Sequence, residues 1–158
     1  MKDDVLNLHR PFVEWAEARR QFPYECSAGK LTIGVGRNLE DRGLSEDEID
    51  LLLSNDQLLA YKGATSLKAF SNLQERGDTV RQAIVVDMVF NLGLPRLRGF
   101  VRTLEAIEVG DYQRAAMEMQ DSRWFRQTGR RARFLVRAMA TGEWDDVRTN
   151  QGSSRPDS

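Results

Sequence analysis

The chain has 158 residues, with 23 basic and 24 acidic side chains, a net charge of −1, one cysteine and one histidine. That length suffices for one self-contained core, and ordinary apolar content with abundant charge excludes a disordered or membrane-spanning chain. A single thiol rules out an intramolecular disulfide framework and a cysteine-rich zinc centre, and one imidazole adds no ligand cluster.

The first eleven residues carry acids where an export signal carries bases, and no apolar stretch follows them, so a standard signal peptide is not expected. Val13 to Ala18 reads as a short helix with Glu17 near its end, stopped by Gln21-Phe22-Pro23-Tyr24. From Lys30 to Gly36 the residues alternate, with Leu31, Ile33 and Val35 on one face and Thr32, Gly34 and Gly36 on the other. The second face is nearly bare, which lets another segment approach the backbone closely. Ser45 with Glu48 forms a capping box ahead of Ile49, Leu52, Leu53 and Leu59 at helical spacing, predicting a helix from about Glu46 to Tyr61.

Val80 to Asn91 is apolar nearly all round and predicts a buried central helix, ended by Gly93 and Pro95. Shorter helices follow from Phe100 to Ile107, from Tyr112 to Met119 with Asp111 as cap, and from Thr128 to about Met139. Trp124, Phe125 and Trp144 at the helix junctions are expected to serve packing rather than sugar binding. Arg148 to Ser158 reads as a frayed polar tail. There is no internal repeat and no transmembrane run, so no membrane association is expected.

Between Arg96 and Arg137, ten arginines stand against five acids. The resulting positive field suits nucleic acid, anionic lipid or an anionic wall polymer, and is equally the signature of a solvated helix surface. A DNA-binding domain is one reading of the cluster Arg130, Arg131, Arg133 and Arg137, but no groove-reading motif accompanies it, and no nucleic-acid partner is expected.

Glu17, Cys26 and Thr32 bring a carboxylate, a thiol and a hydroxyl together at separations of eight and then five intervening residues. Breaking a glycosidic bond requires a proton for the leaving oxygen and a second group that activates water or attacks the anomeric carbon. Glu17 suits the acid, provided burial raises its pKa against the opposing pull of any arginine nearby. Cys26 suits the second role, as a thiolate nucleophile or as a weaker base for water. Thr32 offers a neutral hydroxyl to hold a water or orient the other two. Each residue also has a plain structural reading, as a surface carboxylate, a small buried hydrophobe and an ordinary strand residue.

The stretch from Glu17 to Gly36, with Thr32-Ile33-Gly34-Val35-Gly36 at its end, resembles the active-site segment of the phage lysozymes, or endolysins, related to the T-even phage lysozyme. That family shows Glu, eight residues, Asp or Cys, five residues, Thr, then an Ile-Gly-x-Gly run. The similarity continues in Asp87-Met88-Val89-Phe90-Asn91-Leu92-Gly93, Gly99-Phe100, Asp121 to Thr128, Arg131-Ala132 and Thr141 to Asp145, covering roughly residues 14 to 146. The resemblance implies an α+β, lysozyme-like fold, with a mainly helical large lobe and a small β-hairpin lobe joined by a long helix.

On that pattern residues 1–147 form a single domain. The small lobe spans about 18–45, the connecting helix about 46–61, and the large lobe about 64–146 together with the N-terminal helix. The loop between Leu39 and Ser45 is shorter than in the T-even enzyme, so the small lobe is expected to be reduced.

By the same resemblance Glu17 is the general acid, Cys26 takes the place of the catalytic aspartate, and Thr32 is the third member. Arg131 falls where the family places an arginine beside the catalytic glutamate. Sugar-contacting positions fall on Asn38, Phe90, Thr103 and Glu118, of which Phe90 keeps the family residue type. Where the family often has a histidine after Gly-x-Gly, this chain has Arg37, and an Arg37–Asp56 ion pair would preserve the link from hairpin to connecting helix.

The implied activity is a cofactor-free peptidoglycan muramidase cutting the β-1,4 bond between N-acetylmuramic acid and N-acetylglucosamine, acting as a monomeric endolysin of a phage or prophage. It would wait in the host bacterial cytoplasm and need a holin-like pore to reach the wall. The alternatives are a lytic transglycosylase using Glu17 alone and a non-catalytic peptidoglycan-binding module.

Overall fold

The computed structural model describes residues 2–17 and 19–145. Within these, the chain forms nine helices and one three-stranded antiparallel sheet, the α+β composition expected from the sequence. It divides into two compact units, residues 1–52 and 53–158, and the expected polar tail from Arg148 lies outside the described residues.

The first unit opens with α1 (Lys2–Glu17), far longer than the short helix the sequence pattern indicates. Pro11 lies inside it and removes one helical hydrogen bond, which is why the pattern reads as starting later. Val5, Leu6, Leu8, Phe12 and Trp15 are exposed along α1. β1 (Arg20–Glu25) then forms where Gln21-Phe22-Pro23-Tyr24 reads only as a break. Its pairing with β2 (Leu31–Gly34) runs Tyr24 to Thr32 and Glu25 to Leu31, with a bulge between Arg20 and Tyr24. Pro23, which has no N–H to donate, lies in the bulge, so the break and the strand are the same feature.

β2 ends at Gly34, and Val35 and Gly36 turn the chain into β3 (Arg37–Asn38), so the alternation spans four residues rather than seven. Gly34 and Gly36 hold φ values of +68° and +69°, a region that residues with a Cβ enter only at a cost.

α2 (Glu46–Ala64) starts at the expected capping box: Glu48 accepts from the Ser45 backbone N–H at 2.8 Å, and the Ser45 hydroxyl accepts from the Glu48 backbone N–H at 3.4 Å. The same Glu48 carboxylate binds Arg37, with one Arg37 nitrogen at 2.7 Å and a second on the other oxygen. The carboxylate on this guanidinium is therefore Glu48 and not the expected Asp56, which lies two turns further along α2 and is exposed. The physical reason is reach: Glu48 stands in the first turn of α2, beside Gly43, whose carbonyl accepts from the same Arg37 nitrogen at 3.0 Å.

The Arg37 guanidinium holds the Glu48 carboxyl down at about 2, with help from the Ser45 N–H. Its folded pKa lies below the ordinary 4.5, so its contribution to stability is complete above about 4.5 and is lost as pH falls toward 2. We expect the thermal midpoint to fall over that window in circular-dichroism melts of the wild type, and to fall less in Glu48→Gln.

In the second unit, α4 (Thr79–Leu92) is the central helix that the apolar run anticipates, burying Ile84, Val85, Met88 and Val89. It packs on α3 (Lys68–Glu75), α5 (Leu94–Arg98) and α9 (Arg130–Thr141). Gly93 ends it, whereas Pro95 lies in the first turn of α5, a position that needs no N–H. α6 (Val101–Val109) and α7 (Tyr112–Gln120) follow, the second capped by Asp111, which accepts from the Arg114 N–H at 3.0 Å.

α8 (Arg123–Thr128) is capped by Ser122 and includes Thr128 as its last residue, so Gly129, and not Thr128, separates it from α9. Phe70, Leu73, Ile84, Met88, Ile107, Met119, Leu135 and Met139 fill the core of this unit. Trp124 is buried and donates its indole N–H to Asn91 at 2.8 Å, whereas Trp144 is 44% exposed and stacks edge-on against Phe134.

Candidate active site

The hairpin tip builds the setting of Cys26. The Gly29 N–H donates to the Cys26 carbonyl at 2.8 Å, and the Cys26 N–H donates to the Lys30 carbonyl at 2.9 Å. Gly29, at φ +74°, supplies the left-handed residue that this turn requires. The turn points the backbone N–H groups of Lys30 and Ala28 at the Cys26 sulfur, and the Thr32 hydroxyl lies within hydrogen-bonding reach of it as well. Those donors, Lys30 first, then Ala28 and then Thr32, lower the thiol pKa from its ordinary value.

The cradle is one that any small acidic side chain can occupy, because a carboxylate accepts the same N–H groups as a thiolate.

Thr32 is 3% exposed, whereas its neighbour Leu31 is 44% exposed. The strand thus turns its hydroxyl inward and a leucine outward. Thr32 stands opposite Tyr24 on one side and Asn38 on the other. Its hydroxyl donates to the Lys30 carbonyl at 2.9 Å. One hydroxyl carries one proton, so donation to the sulfur requires rotation away from that carbonyl.

Glu17 is the last residue of α1, and its side chain fills the space beside Gly36: a Cβ built there would meet Oε2 at 3.0 Å, Cδ at 3.1 Å and Cγ at 3.2 Å. The carboxylate that the spacing singles out therefore lies against the turn between β2 and β3. Glu14, one turn earlier, accepts from Arg19 at 2.8 Å and ties the end of α1 to the entry of β1.

Asn38 is engaged at both ends of its carboxamide by Asp41, donating to a carboxylate oxygen at 2.9 Å and accepting the Asp41 N–H at 2.9 Å. Lys30 pairs with Glu40 and Asp41, and Glu40 accepts the Leu31 N–H at 3.0 Å, so the short loop after β3 is pinned to β2.

The other sequence-derived positions fall in the second unit. Arg131 on α9 makes a two-pronged pair with Asp87 on α4, Nε and Nη2 donating at 2.9 and 2.6 Å. Its guanidinium lies 5.7 Å from the ring centre of Phe90, which is 41% exposed. Asp87 was absent from the sequence-derived site, although the lone carboxylate of α4, set in the apolar run from Ala83 to Phe90, is the signal that marks it.

Thr103 and Glu118 line a cavity of about 940 Å³ formed by residues of α4 to α8 and the turns between them, with Arg96, Arg102 and Arg123 also on its wall. No cluster of three or more metal-ligating side chains occurs among the described residues, and none of their helices is long and apolar enough to cross a membrane.

Two proteins of Dictyostelium discoideum named probable T4-type lysozyme 1 and probable T4-type lysozyme 2 are similar to this chain, at 28% and 26% identity. Each alignment covers 87% of this chain and 96% of the relative. The pattern of the family described as phage lysozyme matches residues 14–141, a span that holds Glu17, the Cys26 cradle, Thr32, Phe90, the cavity wall and Arg131. The chain belongs to the phage lysozyme family.

Proposed function

We propose that this protein is a muramidase that hydrolyses the β-1,4 bond between N-acetylmuramic acid and N-acetylglucosamine, with Glu17 as acid and Cys26 as nucleophile. Family membership carries the coarser part, a lysozyme-type peptidoglycan hydrolase of the glycosidase class. The single observation behind the finer part is the Cys26 thiol at the hairpin tip, with the backbone N–H groups of Lys30 and Ala28 turned toward it and the Thr32 hydroxyl within reach on rotation, on the hairpin whose Gly36 packs against Glu17.

In the first step Glu17 gives its proton to the glycosidic oxygen, and the C1–O bond breaks with its electron pair left on that oxygen. The Cys26 sulfur forms a bond to C1 from the other face of the ring. In the second step the Glu17 carboxylate takes a proton from water, the resulting hydroxide attacks C1, and the C–S bond breaks to return the thiolate. Two inversions give net retention. Thr32 steadies the sulfur in its anionic form, before attack and after release.

Phe90, with the neighbouring Arg131–Asp87 pair, and Thr103 and Glu118 on the cavity wall, are the proposed sugar-contacting groups of the helical unit. Asn38 serves in the hairpin once Asp41 releases its amide, and Arg131 supports the acid. Arg37 keeps the hairpin joined to α2 through Glu48.

The biological setting is bacteriolysis at the end of a phage or prophage cycle, by a monomer held in the host cytoplasm until a holin-like pore opens. Mass spectrometry of muropeptides from digested walls tests the chemistry: hydrated reducing ends are expected. Anhydro-sugar ends would replace hydrolysis with transglycosylation, and intact walls despite co-sedimentation would make this a binding module.

A further inference from the structure

From Arg123 to Thr141 the chain holds six arginines and no carboxylate. Arg131 is committed to Asp87, and Arg123 lies on the cavity wall. The other four, Arg126, Arg130, Arg133 and Arg137, are exposed.

Helical geometry sorts the arginines of α9 onto one side. Ala132, Leu135, Ala138 and Met139 are its buried residues. At about 100° and 1.5 Å per residue, Arg130, Arg133 and Arg137 fall on the opposite side, within about 60° of one another and about 10 Å along the axis. Arg126 on α8 donates only to the Asp121 carbonyl, at 3.3 Å, and Arg137 meets Asp145 at 2.5 Å in an exposed pair that binds weakly. Arg130 and Arg133 have no hydrogen-bond or ion-pair partner among the described residues. A surface serving only to solvate α9 would mix its signs, because like charges one turn apart repel.

The neighbours of the row narrow what it can bind. No large apolar side chain of α8 or α9 is exposed, so neither helix has an apolar face to insert into a bilayer. Trp124 is buried, Phe125 and Phe134 are half-buried, and Phe134 holds the Trp144 ring edge-on, so bases find no open platform on these helices. Guanidinium groups repeated along a helix suit phosphates repeated along a flexible chain, since each takes two phosphate oxygens in parallel and each contact releases a counterion.

We propose that Arg126, Arg130, Arg133 and Arg137 form a docking surface for a phosphodiester polymer of the cell wall, of the polyol-phosphate class. The choice of a wall polymer rests on the peptidoglycan-hydrolase reading, whereas the phosphate chemistry rests on the row itself. Docking there would hold the protein at the wall between cuts, with an affinity that salt weakens steeply.

The test is titration calorimetry of the full chain with synthetic poly(glycerol phosphate) over a range of salt concentrations, beside oligo-dT and phosphatidylglycerol vesicles at matched phosphate. Four contacts predict a slope of log affinity against log salt of about −3. Arg130→Gln combined with Arg133→Gln is expected to halve that slope and weaken binding at low salt by about tenfold. The same double variant is expected to keep its thermal midpoint and to clear polymer-free peptidoglycan at the wild-type rate. Arg42→Gln combined with Lys62→Gln removes equal charge from exposed positions outside the row, and is expected to leave binding within about twofold of wild type.

No binding of the polymer at millimolar phosphate, or equal weakening by the two double variants, overturns the proposal. Tighter binding of oligo-dT or of vesicles than of poly(glycerol phosphate) overturns the choice of partner, in favour of nucleic acid or membrane. Polymer binding by a protein that cuts no wall would leave the row standing and sink the muramidase reading. Wall cutting without polymer binding would do the reverse.

Discussion

Glu17→Gln is expected to abolish clearing of purified cell walls, lowering the turnover rate by about 10²–10⁴-fold, or about 3–5 kcal/mol in the barrier. Glutamine keeps the length and shape of the side chain that fills the space at Gly36, so the end of α1 and the hairpin turn should stay as they are. What it removes is the proton, without which the leaving sugar departs as an alkoxide. Matching circular-dichroism spectra and melting midpoints, set beside initial rates of turbidity loss, check the expectation. Clearing by this variant at more than about a tenth of the wild-type rate would remove Glu17 from the acid role.

Cys26→Ser and Cys26→Asp carry the second large effect, and they should diverge. Serine fits the cradle and accepts the same N–H groups, but its hydroxyl does not ionise at neutral pH, so a loss on the order of 10³-fold or more is expected. Aspartate is ionised and accepts from Lys30, Ala28 and Thr32 as the thiolate does, so activity within about tenfold of wild type is expected.

The pH profiles should differ with a definite sign. The thiolate is the reactive form, and its pKa is lowered by those donors, so wild-type activity falls as pH drops through that lowered value. A carboxylate begins about four to five units lower than a thiol, so the acid-side limb of Cys26→Asp should shift to lower pH. A serine variant as active as wild type would reduce Cys26 to a structural role.

Part of the local geometry of this candidate site was legible from residue spacing. Cys26 and Thr32 are separated by one tight turn of fixed length, so sequence distance translates into position there, whereas Glu17 is joined to them through the bulged strand β1. The capping box at Ser45, the Asp111 cap and the largely apolar α4 were legible for the same reason: each depends on near neighbours in the chain.

What escaped depended on partners distant in sequence or on tolerated exceptions. Pro11 within α1 and Pro23 in the β1 bulge both signal a stop, yet the structure accommodates each. α3 carries its apolar contacts at Ala69, Phe70 and Leu73 in only two turns, too short to display a period. The Asp87–Arg131 pair joins residues 44 apart, and Glu48 takes Arg37 in place of Asp56 because the loop from Leu39 to Ser45 brings the first turn of α2 back to the hairpin. Neither pairing leaves a periodic trace.

If Cys26 is the nucleophile, it carries the sugar between two inversions and the product keeps its anomeric configuration. Proton NMR of freshly released product, recorded before mutarotation, tests it most directly. The β-anomer of N-acetylmuramic acid is expected to appear first and to decay toward equilibrium. Initial appearance of the α-anomer would contradict it and leave Cys26 as a base acting on water.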